Sequence, residues 1–307
     1  MNILEKELSN FAEANLATFK TSEMDLNRDN AINYLKNEIK NELNDLNDNE
    51  IKKQRANFFN IGQPDDYQEH LVDIGNNKML ICGIRYIGCD LNYPFVKMTA
   101  NFQISNRKEV RELYEIVKSR FSIFSPKFVS FYTAQKFEAD RFGYVYMVAP
   151  FDKINSSLAW KNDGKVKLKK ITDDSYYDWY CQGYDEFHIE RPDLKGRVQV
   201  NSKQEMNKSL KQGLLYYALI DNEKVGLISG VKSDFLGHKG LYFNEILVRK
   251  KWKGKSLAKI IQQKMIKEAG SFSDFVWGTI DYRNQPSFKT ALSNGRKPVR
   301  YENFIEV

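Results

Sequence analysis

The chain contains few of the residues that build metal sites and disulfide frameworks. Its 307 residues include only three cysteines and three histidines. Cys82, Cys89 and Cys181 could form at most one disulfide, and their spacing matches no zinc-binding pattern. The histidines do not cluster with them in the sequence. We therefore predict no structural metal, and we expect the thiols to act as small, buried apolar side chains.

Long apolar runs and a signal-peptide pattern are also lacking. No hydrophobic stretch approaches the length that crosses a bilayer. The first eight residues mix acidic and basic side chains, unlike a secretory leader. We expect no membrane partner and a cytoplasmic location.

No proline- or glycine-rich linker divides the chain. The best boundary lies between Pro150 and Lys165, where Asn, Ser, Asp and Gly interrupt the apolar pattern. This predicts an N-terminal domain over residues 1–155 and a C-terminal domain over residues 165–307.

The composition indicates a packed protein with an anionic partner. Hydrophobic residues make up 42% and aromatic residues 13%, which excludes a disordered chain. The net charge of +7 concentrates in two patches, 165–170 and 249–259. The first patch is typical of lysines on an edge strand, where they discourage pairing with other chains. Because no zinc-finger or RNA-recognition motif accompanies them, specific nucleic-acid binding is not expected.

The second patch lies between an apolar strand and an amphipathic helix. Small residues at Gly254, Ser256 and Ala258 leave the backbone amides of this turn accessible. Free amides at a helix start, together with the helix dipole, form an anion site. The surrounding lysines add positive charge, so the turn predicts a ligand that carries phosphates.

This turn resembles the acyl-coenzyme A loop of the GNAT acetyltransferase superfamily, whose pattern is Arg/Gln-x-x-Gly-x-Gly/Ala after a strand. The pattern here is Lys253-Gly-Lys-Ser256-Leu-Ala258, with Lys in place of Arg or Gln and Ser in place of the first glycine. Only glycine takes positive φ freely, so the second departure bears on the geometry of the turn.

Neighbouring segments extend the resemblance over residues 165 to 307. A β-hairpin is predicted over 214–231 and a short strand over 275–280. The block from Asn284 to Gly295 is similar to the family's Asn-x-x-Ala…Tyr-x-x-x-Gly pattern. The resemblance implies an α/β fold with a mixed sheet, of GNAT type, in the C-terminal half.

The resemblance also implies a function and a set of ligand contacts. It implies an N-acyltransferase that moves an acetyl group from acetyl-CoA, as co-substrate, to an amine acceptor. Backbone groups would hold the pantetheine, the basic turn the pyrophosphate, and an asparagine the pantetheine or thioester region. The implied pantetheine contacts are Leu247 and Val248, and the asparagine is Asn284. The implied pyrophosphate contacts are Lys253, Gly254, Lys255, Ser256, Leu257 and Ala258.

Catalysis requires a base and a route for the departing thiolate. Glu245, on the strand before the basic turn, is the first candidate base, and Asp281 is the reserve. Strand alternation does not decide which face Glu245 occupies, because a bulge would change it. The family's tyrosine acid corresponds to Ala291 here, so Tyr242, Tyr282 or water would replace it.

The first half shows the same order of elements as the second. A helical segment through Arg55 carries an apolar stripe and is expected to cover a sheet. Hairpin, strand, helix and strand patterns follow, which suggests a degenerate GNAT-like half in tandem with the second. Its strand-to-helix turn carries Glu109 and Glu112, which would repel a pyrophosphate, so this half is not expected to bind coenzyme A.

Two alternative functions remain open at this point. One is an aminoacyl-tRNA-dependent transferase of the tandem GNAT type, which fits the basic charge. The other is a non-catalytic binding or regulatory protein that keeps the fold, with Ser256 and Ala291 as departures. The acceptor would bind on variable loops, predicted at 176–192, whose aromatic side chains could instead pack between the two halves.

Overall fold

The computed structural model describes residues 4–22, 24–155, 163–269 and 272–307. The chain divides into two compact units. Unit 1 comprises Met1–Val145 and Val299–Val307, and unit 2 comprises Tyr146–Pro298. Helices and strands alternate in both units, so the predicted α/β class with a mixed sheet is confirmed.

The described residues form both helices and strands. The α-helices are α1 (Glu5–Leu16), α2 (Arg28–Leu46), α3 (Asn49–Phe59), α4 (Arg107–Val117), α5 (Phe151–Asn155), α6 (Tyr177–Glu190), α7 (Lys203–Gln212), α8 (Leu257–Ala269) and α9 (Gln285–Ser293). The strands are β1 (His70–Gly75), β2 (Lys78–Tyr86), β3 (Pro94–Ala100), β4 (Phe128–Thr133), β5 (Arg141–Pro150), β6 (Lys167–Lys170), β7 (Leu215–Ile220), β8 (Glu223–Lys232), β9 (Gly240–Val248), β10 (Phe275–Asp281) and β11 (Lys297–Glu306).

The N-terminal helices cover one part of the unit 1 sheet. Ile39 and Leu43 on α2 pack with Leu8 and Phe11 on α1 and with Ile81 on β2. These side chains are buried, while polar residues occupy the opposite face of α2. The prediction that this amphipathic segment covers a sheet is confirmed.

Strands of unit 1 follow the order β1-β2-β3-β4-β11. The β1–β2 hairpin turns at Asn76 and Asn77, which both have positive φ, as the tight turns that match strand twist require. Strands β3 and β4 are parallel and share three rungs, from Phe95↔Phe128 to Lys97↔Ser130. Strand β11 is antiparallel to β4.

Strands of unit 2 follow the order β5-β10-β9-β8-β7-β6. The order hairpin, strand, basic turn, helix, strand, Asn-led helix and final strand, predicted for 165–307, is confirmed. The lysines of β6 are on the terminal strand of this order, as expected for edge protection. The final strand, β11, belongs to unit 1 from Val299 onward.

Three smaller expectations have different outcomes. The predicted boundary between Pro150 and Lys165 lies partly on residues 156–162, outside the described part of the chain. Cys82 is buried as expected, whereas Cys89 is exposed, so the prediction of a buried apolar role is wrong for that thiol. Across the described residues, none of the helices combines the length and apolar character that a bilayer-spanning segment needs.

The α2 contact with the sheet can be tested by truncation. Ile39→Ala removes buried methyl groups from the cluster with Phe11 and Ile81. We expect the free energy of unfolding to fall by about 2–4 kcal/mol in chemical denaturation. Asn37→Ala, on the exposed face of the same helix, should change it by less than about 0.5 kcal/mol. Equal effects of the two changes would contradict the packing.

Candidate functional site

Strands β9 and β10 part soon after they begin to pair. Their parallel register runs from Phe275↔Gly240 to Trp277↔Tyr242 and ends there. Beyond this rung β9 continues to Val248, still paired on its other side with β8. The β10-facing edge of β9 over residues 243–248 therefore borders a split, which we call the β9–β10 split. It spans about 17 Å at roughly 3.3 Å per residue.

A bulge in β9 gives the two faces of this split different linings. Ser229 pairs with Glu245 and Gly230 pairs with Phe243, so Asn244 is an extra residue without a rung. Side chains alternate along a regular strand, and an extra residue reverses that alternation. Phe243 packs into the cluster that includes α8, whereas Glu245 contacts α6 on the other face.

The hydrogen-bond ladder with β8 indicates which backbone groups of β9 lie on its free edge. The amide of Arg249 donates to the carbonyl of Val225, which makes this rung a hydrogen-bonded pair. By the antiparallel alternation, the backbone of Leu247 bonds to β8, while Ile246 and Val248 face the split. Of the two predicted pantetheine contacts, the ladder therefore favours Val248.

The turn between β9 and α8 presents several backbone amides to solvent. Residues 253–256 are exposed, and a side-chain carbon at Gly254 would meet no atom within 4 Å. The amides of Lys259 and Ile260 bond to the carbonyl of Ser256. The preceding amides, of Lys255 to Ala258, have no hydrogen-bond partner among the described residues. This is the corner at which the sequence predicts an anion site.

Ser256 takes the conformation that the family's glycine would provide. Its φ is 60°, and Gly254 has φ of 76°. A left-handed φ costs an L-residue about 1–2 kcal/mol, so Ser256 holds the turn at a price in stability.

Most cations of this turn already have carboxylate partners. Arg249 bonds to Glu186, and Lys253 bonds to Glu190; both carboxylates are on α6. Hydrogen bonds from these cations lower the pKa of both carboxyls. Lys251 also pairs with a carboxylate, that of Glu223, at 3.1 Å. Lys255 differs, because its ammonium lies 4.5 Å from the centroid of the Trp252 ring.

The predicted base, Glu245, is buried in a hydrogen-bond network. Its Oε2 accepts from the hydroxyls of Tyr180 and Tyr184, the latter at 2.8 Å, and from Nδ2 of Asn201 at 3.2 Å. Its Oε1 accepts from the amide of Ile246 at 2.8 Å, which brings this oxygen to the free edge of β9. Burial raises the pKa of Glu245, although the four hydrogen bonds favour the carboxylate.

The reserve base, Asp281, is in a buried ion pair. Its Oδ2 lies 2.7 Å from Nε of Arg197, in the segment between α6 and α7. Asn284 begins α9: its side chain accepts from the amide of Ser287 at 3.4 Å, as a helix cap. Ala291, at the family's tyrosine position, is completely buried.

The predicted acceptor loop is instead mostly helix α6. Its aromatic side chains Tyr180 and Tyr184 pack with Tyr176 against the face formed by Leu227 and Leu247. The loop prediction for 176–192 is wrong because these aromatics recur at helical spacing and bury one side of the segment. In this cluster Tyr180 and Tyr184 pack within unit 2; the alternative, packing between the two halves, stays a prediction.

The corresponding corner of unit 1 is filled by its own side chains. Between β3 and α4, the amide of Ser105 donates to Glu109 at 2.8 Å. The amide of Glu109 donates to the cap residue Asn106 at 3.0 Å. At this corner a carboxylate and an amide oxygen of the protein itself accept the backbone amides of Ser105 and Glu109.

The sequence analysis missed a buried polar cluster behind the split. Asn294 and Arg296, just after α9, both donate to Oε1 of Gln262 on α8, at 3.0 and 2.7 Å. All three side chains are buried. No sequence signal distinguished Arg296 from the neighbouring exposed Lys297, because both belong to a short basic stretch.

Comparison with known proteins gives similarity of fold only. No family model and no curated protein matches the chain. A GCN5-related N-acetyltransferase from Sphaerobacter thermophilus is 12% identical, with a TM-score of 0.48, over 76% of this chain and 82% of that one. A GNAT-family acetyltransferase from Colwellia psychrerythraea is 10% identical, with a TM-score of 0.47, over 75% and 84%.

A tandem GNAT protein from the clavulanic acid biosynthesis pathway is also similar. It is 12% identical, with a TM-score of 0.43, over 74% of this chain and 78% of that one. The solved structures that resemble this chain in fold thus include GNAT acetyltransferases and a protein described as a tandem GNAT. These likenesses do not extend to a substrate.

Proposed function

We propose that this protein is a GNAT-type N-acyltransferase that uses an acyl-coenzyme A donor and an amine acceptor. The observation that carries the proposal is the set of unpaired amides at Lys255 to Ala258. They lie beyond Val248, at the end of the β9–β10 split that is farther from the shared rungs, which we call its wide end. Helix-start amides of this kind bind phosphates. The open backbone edge of β9 leads from that corner into the split.

The residues present fit a coenzyme A arm. The amides of 255–258 would hold the diphosphate, with the ammonium of Lys255 beside it. The free-edge backbone of Val248 would hold the amide groups of the pantetheine, as an added strand would. Asn284, which caps α9, supports the helix that begins after β10. The thioester, when bound, supplies the acyl group and the leaving thiolate.

The reaction joins the acceptor nitrogen to the acyl carbon. The nitrogen lone pair forms the new C–N bond, the C–S bond breaks, and its electron pair departs on sulfur. One amine proton leaves with a base, and the thiolate takes up a proton, which gives an amide and a thiol. The protein mainly holds the reactants in line and removes the amine proton.

Glu245 is the group that we propose as the proton acceptor. Its Oε1 reaches the free edge of β9, where the Ile246 amide is its partner. Oε2 is held by Tyr180 and Tyr184, which fix the carboxylate on the α6 face. An amine that lies in the β9–β10 split would meet Oε1 at this edge directly or through one water. Tyr242, at the last shared rung, is the tyrosine proposed for the thiolate.

The basic turn can be tested by adding one negative charge. Ser256→Glu places a carboxylate against the proposed diphosphate, so acetyl-CoA affinity should fall at least about tenfold. Isothermal titration calorimetry at fixed salt measures this directly. The matched variant Ser256→Gly keeps the positive φ and all amides, and it should bind as tightly as the wild type or more tightly.

Either of two results would count against the turn as the diphosphate site. Unchanged acetyl-CoA affinity in Ser256→Glu would show that the diphosphate binds elsewhere. Wild-type protein that produces no heat with acetyl-CoA would favour the non-catalytic alternative or a tRNA-dependent transferase.

The role of Glu245 can be tested by removing its charge while keeping its shape. Glu245→Gln should lower kcat about 100-fold or more, with acetyl-CoA affinity unchanged, because only proton removal is lost. If another group is the base, kcat will stay near the wild-type value.

The pH dependence of stability tests the same carboxyl independently. Since burial raises the pKa of Glu245, its stabilising contribution is complete below its ordinary pKa and is lost as pH rises through the folded pKa. Glu245→Gln does not titrate, so its stability relative to wild type should rise with pH across this window, by at most about 1.4 kcal/mol per pH unit. A flat difference from pH 4 to 8 would contradict the raised pKa.

A further inference from the structure

Arg296 is a buried cation without a charged partner. It is 2% exposed, and its single hydrogen bond in the structure joins Nη2 to Gln262. Its Nε has no partner, and no carboxylate among the described residues pairs with it. Burial alone lowers the pKa of this guanidinium to about 10. A guanidinium offers five N–H donors, so most of them are unused here.

Nη1 of this guanidinium lies where the β9–β10 split begins, next to the rung Tyr242↔Trp277, which we call the narrow end of the split. Nη1 is 3.4 Å from the position where a side-chain carbon on Gly278 would stand, and the carbonyl of Phe243 is 3.2 Å from that same position. Phe243 and Gly278 are the first residues beyond the shared rung Tyr242↔Trp277. A side-chain carbon at Gly278 would be crowded by both atoms, so glycine at this position lets the guanidinium approach the point where the two strands begin to part.

Both ends of the split therefore carry N–H groups that can bind an anion. The wide end carries the exposed amides after Lys253, and the narrow end carries the buried guanidinium of Arg296. A ligand whose diphosphate lies at the wide end extends its acyl group toward the narrow end. Glu245 lies on the opposite, α6 face, because the bulge at Asn244 separates it from Phe243.

We propose that Arg296 selects acyl groups that end in a carboxylate, so that the donor is a dicarboxylic acyl thioester of the succinyl type. This inference rests on the proposed function and specifies its donor. A carboxylate matches the fork of a guanidinium through two parallel hydrogen bonds. It would use the N–H groups that the protein leaves without partners.

A neutral acyl chain would not offset the cost of this burial. An isolated charge in a protein interior is unfavourable unless it is paired and hydrogen-bonded. Gln262 supplies one acceptor atom, and the ring of Phe243 lies 5.0 Å below the guanidinium, which is a weaker compensation. An acetyl group brings a methyl toward the same place and adds no charge.

A donor series on the full-length protein tests the proposal. Succinyl-CoA, butyryl-CoA, acetyl-CoA and free coenzyme A are titrated into the protein by calorimetry. Succinyl and butyryl chains have the same number of carbons, so they differ in the terminal carboxylate. We expect succinyl-CoA to bind at least about tenfold more tightly than butyryl-CoA.

Variants at Arg296 assign the preference to one side chain. Arg296→Gln should remove the succinyl preference and leave affinity for free coenzyme A unchanged. Arg296→Lys keeps the charge and should retain part of the succinyl preference. It serves as the second variant if Arg296→Gln does not fold. Lys297→Gln removes the same charge from an exposed neighbouring position and should keep the full preference.

The outcomes separate this inference from the proposed function. Equal affinity for succinyl- and butyryl-CoA, or a preference that survives Arg296→Gln, overturns the role of Arg296 alone. No affinity for any donor or for free coenzyme A overturns the proposed function and this inference together.

Discussion

Asn244 has no partner in the ladder between β8 and β9. This one extra residue shifts the register of the rest of β9 by one position, so the side chains on its two sides alternate out of phase. Strand bulges bend the chain and re-aim side chains. Phe243 consequently belongs to the core beneath α8, while Glu245 lies under α6. Loss of pairing with β10 follows at the same level, after Tyr242. The split and its two different faces both originate at this point.

The two units share an arrangement of strands but differ at one helix start. In each, a parallel pair has three rungs and is followed by a helix from the first strand of the pair. In unit 1 the amides at that helix start bond to Asn106 and Glu109. In unit 2 the amides of 255–258 have no such partner in the described residues. The chemistry of a few corner residues, more than the order of elements, therefore distinguishes the two helix starts.

Local patterns in the sequence predicted the elements because strand and helix periodicities are carried by short stretches. The hairpin turns at Asn76–Asn77 and Asp221–Asn222 are examples. The surroundings of Glu245 could not be predicted, since its partners come from a separate helix, 61 and 65 residues earlier. Arg296 is the strongest case: its burial depends on α8 and β10, and its sequence neighbours suggest an exposed basic stretch.

Two features of unit 2 reduce its stability, and they lie at opposite ends of the same split. Ser256 has a left-handed backbone conformation at the wide end, and Arg296 is a buried cation without a counter-ion at the narrow end. Strained or unpaired groups persist only where surrounding structure or a ligand offsets their cost. An anion at each end would offset both, since the turn at Ser256 exposes amides and Arg296 has free donors. The elongated ligand that we propose, with negative charge at its two ends, would therefore offset both costs at once.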